Sequence, residues 1–445
     1  VDSGAIVLGF TGPIGSGCSF IARALSEQNT QLKYFKVSDV IRSHLKREGV
    51  SQPTIEQLQT KGNDLRKKHG GDYLVMKLLK PLLNDKKITS IIIDGIKNTE
   101  EVSYLRFFPN FYLFSVHSDK EIRRARSTGD GKVIKTEEDF NRIDRRDEQE
   151  SEPYGQQVTE CDHLSDIILL NNEPCYDYPE GKKRDLIGGI YKTYVQRVFD
   201  LRVNKLSPDF RPSTDEMAMT SAYIQSKKSS CLKRKVGAVI VEERGIGKYK
   251  MPFILSSGYN EVPAGTETCM DKYGGKCYRD FAQEQQAQKI LRCPKCGGKF
   301  EIEATCHRCN KSFTKYQKTC DICHNEISPT STHKDCDAEI FKEYLPGAKE
   351  SPGKLLDICR ALHAEEYALL NLVNNYRSST ENLVLYTTTQ PCNLCANKIV
   401  ASGIKKVVFA EPYFMESSAS VLEKAGVTVS RFQGVKSYAY FKLYK

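Results

Sequence analysis

His363, Glu365, Cys392 and Cys395 are the residues of this chain whose types and spacing best suit them to chemistry. Two cysteines at i and i+3 share one face of a helical turn. A helix N-terminus lowers a thiol pKa, so Cys392 and Cys395 make a good grip for zinc. His363 supplies a third ligand. Three protein ligands leave the fourth position for water, whose pKa on the metal falls to about 7. Glu365, two residues from the histidine, need not bind the metal and is placed for general acid–base work. The competing reading is a closed structural site with Glu365 as a surface acid, but such sites normally have four protein ligands.

The elements that must hold these residues follow from the apolar periodicity. A helix is expected near Thr214–Ser226, then strands Val236–Val241 and Phe253–Ser257. After an interruption come helix His363–Asn375, strand Leu383–Thr388, helix Cys392–Ser402, strand Lys406–Ala410 and a last helix–strand pair. The interruption, from Asn260 to His363, is rich in cysteine, lysine and glycine and is too long to lack structure of its own. It holds three C-x-x-C knuckles: Cys293 with Cys296, Cys306 with Cys309, and Cys320 with Cys323, followed by His333 and Cys336. Such spacing signals zinc ribbons. The simplest assignment closes one structural site with Cys293, Cys296, Cys306 and Cys309 and another with Cys320, Cys323, His333 and Cys336, although interleaved pairing is equally consistent with the spacing.

Near the other end, Gly12-Pro13-Ile14-Gly15-Ser16-Gly17-Cys18-Ser19 follows an apolar run and precedes a helical one, the setting of a G-x4-G-K-[ST] phosphate loop. Backbone N–H groups of such a loop cradle phosphates whatever its side chains. The lysine position is Cys18, so a principal charge stabiliser of phosphoryl transfer is missing, and nucleotide binding or sensing is expected in place of kinase activity. Ser19 is placed to meet magnesium, and Asp94 stands where a Walker B-like acid would. Ser38-Asp39-Val40-Ile41-Arg42, Asp94-Gly95-Ile96 and the basic runs Arg123–Arg126 and Arg142–Arg146 look similar to nucleoside monophosphate kinases with an arginine-bearing lid.

Bulk properties agree with this layout. A chain of 445 residues with 39% hydrophobic and 27% charged residues predicts two or three globular domains. Ala5–Phe10, Ile88–Ile93, Phe111–Val116 and Asp166–Leu170 read as buried parallel strands of a first domain over 1–205. A polar hinge with Ser207-Pro208 and Arg211-Pro212 leads into a second over 206–445, with the cysteine-rich insertion at about 266–350. Eight of the sixteen cysteines form four C-x-x-C pairs, which favours metal binding over disulfides. No run suffices to cross a bilayer and none reads as a secretory signal, so no membrane partner and a cytoplasmic location are expected. The net charge of +10 suits anionic partners, free nucleotides or nucleic acid.

H-x-E followed by P-C-x-x-C is the signature of zinc deaminases. The sequence resembles the deoxycytidylate deaminases, of the cytidine deaminase-like fold, over roughly residues 214–265 and 355–435. The matching segments are Val236-Gly237-Ala238-Val239-Ile240-Val241, Ser257-Gly258-Tyr259-Asn260, the His363 and Cys392 motifs, and Glu411-Pro412-Tyr413. The resemblance implies that Asn260 contacts the deoxyribose, that Tyr413 lies in the nucleotide pocket, that dCMP, dCTP or both are hydrolysed to deoxyuridine nucleotide and ammonia, and that the protein is a homo-oligomer. Arg234 or Lys235 is a candidate for the substrate phosphate, with an exposed basic pair as the alternative. The family's frequent extra structural zinc brings Cys269 and Cys277 into consideration. The tRNA adenosine deaminases share the two core motifs, so editing of a polynucleotide (tRNA or single-stranded DNA) is the alternative.

The fold class expected is α/β: a P-loop, nucleoside monophosphate kinase-like domain plus a cytidine deaminase-like α/β/α domain with a zinc-ribbon insertion. That combination resembles the bacterial anti-phage deoxycytidylate deaminases. It implies depletion of the deoxycytidine nucleotide pool in infection and a P-loop domain that acts as a control element, with a nucleotide effector and an inhibitory RNA or protein partner as candidates.

Overall fold

The computed structural model describes the chain apart from residues 1–4, 84, 86–87, 129–133, 149, 151, 173–179, 204–210, 245–250, 283–300, 306–311, 314–328, 333–358, 376–378, 413–415 and 445. Its contacts form two compact units, one of Val1–Lys227, Val236–Gly258 and Ala364–Lys445 and one of Lys228–Lys235 and Tyr259–His363.

The first unit holds two sheets. β1 (Ile6–Thr11) is a fully buried strand, and its alternation divides the surrounding core. Ile6, Leu8 and Phe10 pack with Ile21 and Leu25 on one face. Val7 joins Ile41, Leu65, Leu74, Ile91 and Ile93 on the other. β2 (Leu32–Lys36), β3 (Ser90–Asp94), β4 (Asn110–His117) and β5 (Ile167–Leu170) complete a parallel sheet ordered β5-β4-β1-β3-β2. The expected strands are present, whereas β2, half-buried and carrying two lysines, gave no apolar signal. The strand order reverses beside β1, so the glycine loop after β1 opens on the crevice where such sheets bind ligands. Gly15 (φ 78°) and Gly17 (φ 92°) take the left-handed backbone that its turn requires.

The second sheet runs β13-β12-β11-β6-β7. It comprises β6 (Gly237–Arg244), β7 (Met251–Tyr259), β11 (Leu383–Thr389), β12 (Lys406–Glu411) and β13 (Thr428–Arg431). β11 is parallel to β12 and antiparallel to β6, and all its residues are buried. Helix Ala364–Asn375 lies so close to β7 that a Cβ on Gly258 would stand 2.3 Å from the Ala364 carbonyl oxygen and 2.4 Å from the Ala368 nitrogen. Within the insertion, β8 (Glu301–Thr305), β9 (Ser312–Phe313) and β10 (Pro329–Thr332) form a small antiparallel sheet ordered β10-β8-β9.

The chain then returns to the first sheet. β14 (Gly434–Val435) pairs antiparallel with β5, and Val435, Ala439 and Leu443 join the core around β1. Neither β14 nor the helix Ser437–Leu443 was expected, because two residues carry no periodicity to read. Just before this return, Arg431 ties the sheets together: its Nη1 donates to His117 Nδ1 at 2.8 Å and its Nη2 to Asp162 Oδ2 at 2.6 Å. No helix among the described residues is long and apolar enough to cross a membrane.

His117 accepts at Nδ1 from a guanidinium, so its proton sits on Nε2, 2.9 Å from Asp162 Oδ1. Burial first, then Arg431, pushes its pKa down from 6.5 to about 4. A folded-state value below the unfolded one makes the contribution full above about pH 6.5 and progressively lost as pH falls towards 4, by about 3 kcal/mol at most. Urea unfolding of the wild-type chain from pH 7 to pH 4.5 is expected to show that loss, and His117→Gln to flatten it. An equal slope in the variant would place the effect elsewhere.

Candidate active site

Two helices begin at the site. His363 directly precedes helix Ala364–Asn375, whose first turn carries Glu365 and Glu366. Pro391 and Cys392 follow β11, and Cys392 is the N-cap of helix Asn393–Ser402, which puts Cys395 in the first turn. Glu366 pairs with Lys398 Nζ at 2.6 Å, linking the helices. His363, Cys392 and Cys395 each bring one ligand atom to within 4.8 Å of the others, the one such metal-binding group of three or more among the described residues. Both cysteines are buried, and Glu365 is 4% exposed.

Two thiols and an imidazole at this separation fit a zinc ion. The hydrogen bond with Cys392, then burial, then Glu365 hold the Cys395 thiol well above its ordinary pKa, so its thiolate is favoured only when a positive charge lies beside it. Glu365 Oε2 lies 3.6 Å from Cys395 Sγ and its Oε1 lies 3.5 Å from Thr387 Oγ1. Thr387, Thr388 and Thr389 are all buried at the end of β11. Sequence reasoning passed over them, because their polarity alone does not show that Glu365 is a neighbour. It also missed Cys359, whose thiol is lowered chiefly by a hydrogen bond with His363.

The other expected residues are placed as follows. Asn260 is buried; its Nδ2 donates to the Arg234 carbonyl at 2.8 Å and its own carbonyl accepts from Ser229 Oγ at 2.6 Å. The amide thus fixes the turn that presents Arg234 and Lys235. Tyr413 lies outside the described residues, as do Cys293, Cys296, Cys306, Cys309, Cys320, Cys323, His333 and Cys336. Cys269 and Cys277 share the wall of one cavity of about 30 Å³ with Cys231 and Cys359, but without the close approach that unites His363, Cys392 and Cys395.

At the P-loop, Gly12, Gly15, Gly17, Cys18, Ser19 and Asp94 all line a cavity of about 470 Å³. Asp94 gathers the site: its Oδ2 accepts from Ser19 Oγ and Tyr34 Oη, both at 2.6 Å, and its Oδ1 from Cys18 Sγ at 3.3 Å. Burial and the Asp94 carboxylate push the Cys18 thiol up, so Cys18 is neutral. The Arg123–Arg126 run does not form a lid. Arg126 is buried and donates to the carbonyls of Gly15 and Ser16, and Arg123 donates to that of Ile14 while paired with Asp144. These arginines shape the loop from behind. Arg142, Arg145 and Arg146 line a separate open depression.

The family model described as the cytidine and deoxycytidylate deaminase zinc-binding region matches residues 212–411. A deoxycytidylate deaminase of Enterobacteria phage T4 is 31% identical over 210 residues, 47% of this chain and 84% of the relative. The deoxycytidylate deaminase of Saccharomyces cerevisiae is 27% identical over 327 residues, 73% of this chain and 75% of the relative. The crystal structure of dCMP deaminase from the cyanophage S-TIM5 in complex with dCMP and dUMP aligns with 50% of this chain and 98% of its own at 20% identity, with a TM-score of 0.26. With the H-A-E and P-C-x-x-C motifs lying at one buried site, the chain belongs to the zinc-binding cytidine and deoxycytidylate deaminase family.

Proposed function

We propose that the protein hydrolyses the exocyclic amine of free deoxycytidine nucleotides, dCMP, dCTP or both, giving the deoxyuridine nucleotide and ammonia. The observation that carries this reading is the buried Glu365 carboxylate beside the convergent donors of His363, Cys392 and Cys395. Zinc held by those three would supply Lewis-acid activation of water at neutral pH. Glu365 moves the protons. It accepts one from the water that adds to C4 and delivers it to N3, then takes the remaining proton from the new C4 hydroxyl and passes it to the amine as the C4–N bond breaks, so that the water oxygen becomes O4 and ammonia leaves. Thr387 borders the Glu365 carboxylate and helps to fix its orientation.

Asn260 is assigned to the deoxyribose, Tyr413 to the nucleotide pocket and Arg234 or Lys235 to the substrate phosphate. The knuckles at Cys293/Cys296, Cys306/Cys309 and Cys320/Cys323, with His333 and Cys336, are assigned to structural zinc. Segment 1–205 is read as a regulatory nucleotide-binding domain, with magnesium at Ser19 and Asp94 when a nucleotide is bound. The protein is further read as a homo-oligomer that depletes the deoxycytidine nucleotide pool in defence against phage.

Ammonia release from dCMP, dCTP, cytidine and a cytosine-containing single strand tests the substrate class. Turnover of dCMP or dCTP is expected, and Glu365→Ala at matched zinc content is expected to lower kcat by about 10²–10⁴-fold. Activity confined to the strand would overturn the free-nucleotide reading in favour of an editing enzyme. Metal analysis is expected to find more than one zinc per chain, with Cys392→Ala losing one equivalent and all activity while the remaining zinc stays bound. A variant with unchanged zinc content would refute the ligand assignment.

A further inference from the structure

The P-loop lacks its lysine, yet an ammonium is present at its mouth. Lys36, at the end of β2, donates from Nζ to Ser19 Oγ at 2.9 Å and stands 3.6 Å from Asp94 Oδ2. It reaches the serine that follows Cys18 from a different strand, and its side chain is 31% exposed. In place of the usual cation on the loop itself, this chain has a neutral, half-buried thiol at Cys18 and a lysine brought in alongside.

The cavity extends from the loop towards helix Ile55–His69 and is too large for phosphate alone. Its far wall is apolar at Ile41, Ile55 and Leu58, and polar at Gln59, Arg66 and Asp147. These last three are 5%, 3% and 1% exposed. Each keeps one polar atom without a hydrogen-bond partner: Gln59 Oε1, Arg66 Nη1 and Asp147 Oδ2. The rest of each group is fixed. Arg66 donates through Nε and Nη2 to Glu101 at 3.0 and 2.8 Å, Gln59 Nε2 lies 3.4 Å from the Ile143 carbonyl, and Asp147 pairs with Lys97. Orphaned buried donors and acceptors are destabilising, a cost that a ligand seated against them offsets.

We propose that this cavity binds a nucleoside phosphate, with Lys36 replacing the missing P-loop lysine at the phosphates and Gln59, Arg66 and Asp147 reading the base. The proposal deepens the regulatory reading of segment 1–205. It is independent of whether the zinc site deaminates, because binding is measured directly.

The test is calorimetric titration of the full chain carrying Glu365→Ala with Mg²⁺ and each of ATP, GTP, dTTP and inorganic tripolyphosphate, leaving out the cytidine nucleotides assigned to the zinc site. At least one nucleotide is expected to bind more tightly than tripolyphosphate. Lys36→Gln is expected to weaken that binding by about tenfold or more and Lys36→Arg to recover part of it. Gln59→Leu is expected to narrow the spread among bases without changing tripolyphosphate binding, a readout that a purely structural role for Gln59 would not give. Thermal unfolding identifies a variant that fails to fold, and Lys36→Arg then decides. Nucleotide binding insensitive to Lys36, no binding at all, or tripolyphosphate binding as tight as every nucleotide would overturn the proposal. A failed deaminase reading would appear only as absent ammonia release by the unsubstituted chain.

Discussion

Two helix N-termini must meet at one buried point, and much of the second sheet serves that requirement. The positive ends of helices Ala364–Asn375 and Asn393–Ser402 both face the cluster of thiols and the Glu365 carboxylate. Small residues permit the close packing behind them. Gly258 lets the first helix touch β7, and Ala364, Ala368 and Ala396 lie in the core between helices and sheet. A larger side chain at any of these positions would displace a backbone and move a donor with it. The active-site chemistry therefore depends on packing that carries no chemical group of its own.

The same economy is seen at the P-loop, where the side chains that matter lie outside the motif. Asp94 organises Cys18, Ser19 and Tyr34, and Arg123 and Arg126 hold the loop carbonyls from the opposite side. The loop is thus shaped in advance, with the N–H groups left to face a ligand. A neutral residue at position 18 changes where the positive charge comes from while leaving the cradle intact.

Much of this was legible in the sequence wherever the signal was local. The i, i+3 cysteines, the His–Glu spacing and the glycine loop each constrain a few neighbouring residues, and the apolar runs Ala5–Phe10 and Phe111–Val116 could be only buried strands. What escaped was set by contacts between distant residues. Lys36 reaches Ser19 from a strand that is only half-buried. Gln59 and Arg66 belong to a helix whose polar face turns inward, against periodicity. Thr387 sits in a strand buried throughout, where polarity alone cannot show that Glu365 is its neighbour. Arg431 and His117 meet across 314 positions. The arginine runs show the converse error, since a basic string says nothing about which way each guanidinium points.

The pairing of β14 with β5 has a consequence for how the chain is made. β5 ends at Leu170, whereas its partner begins at Gly434. At a synthesis rate of about 5–20 residues per second, the first sheet waits roughly 10–50 s with an open edge before its last strand emerges. Such an edge invites pairing with other chains, so the nascent protein passes through an interval in which a chaperone or a rapid seal is at a premium. The finished molecule is closed in the opposite sense. Residues 434–443 are built into its first sheet and core, and a nick in the segment between the two sheets would leave both halves clasped together.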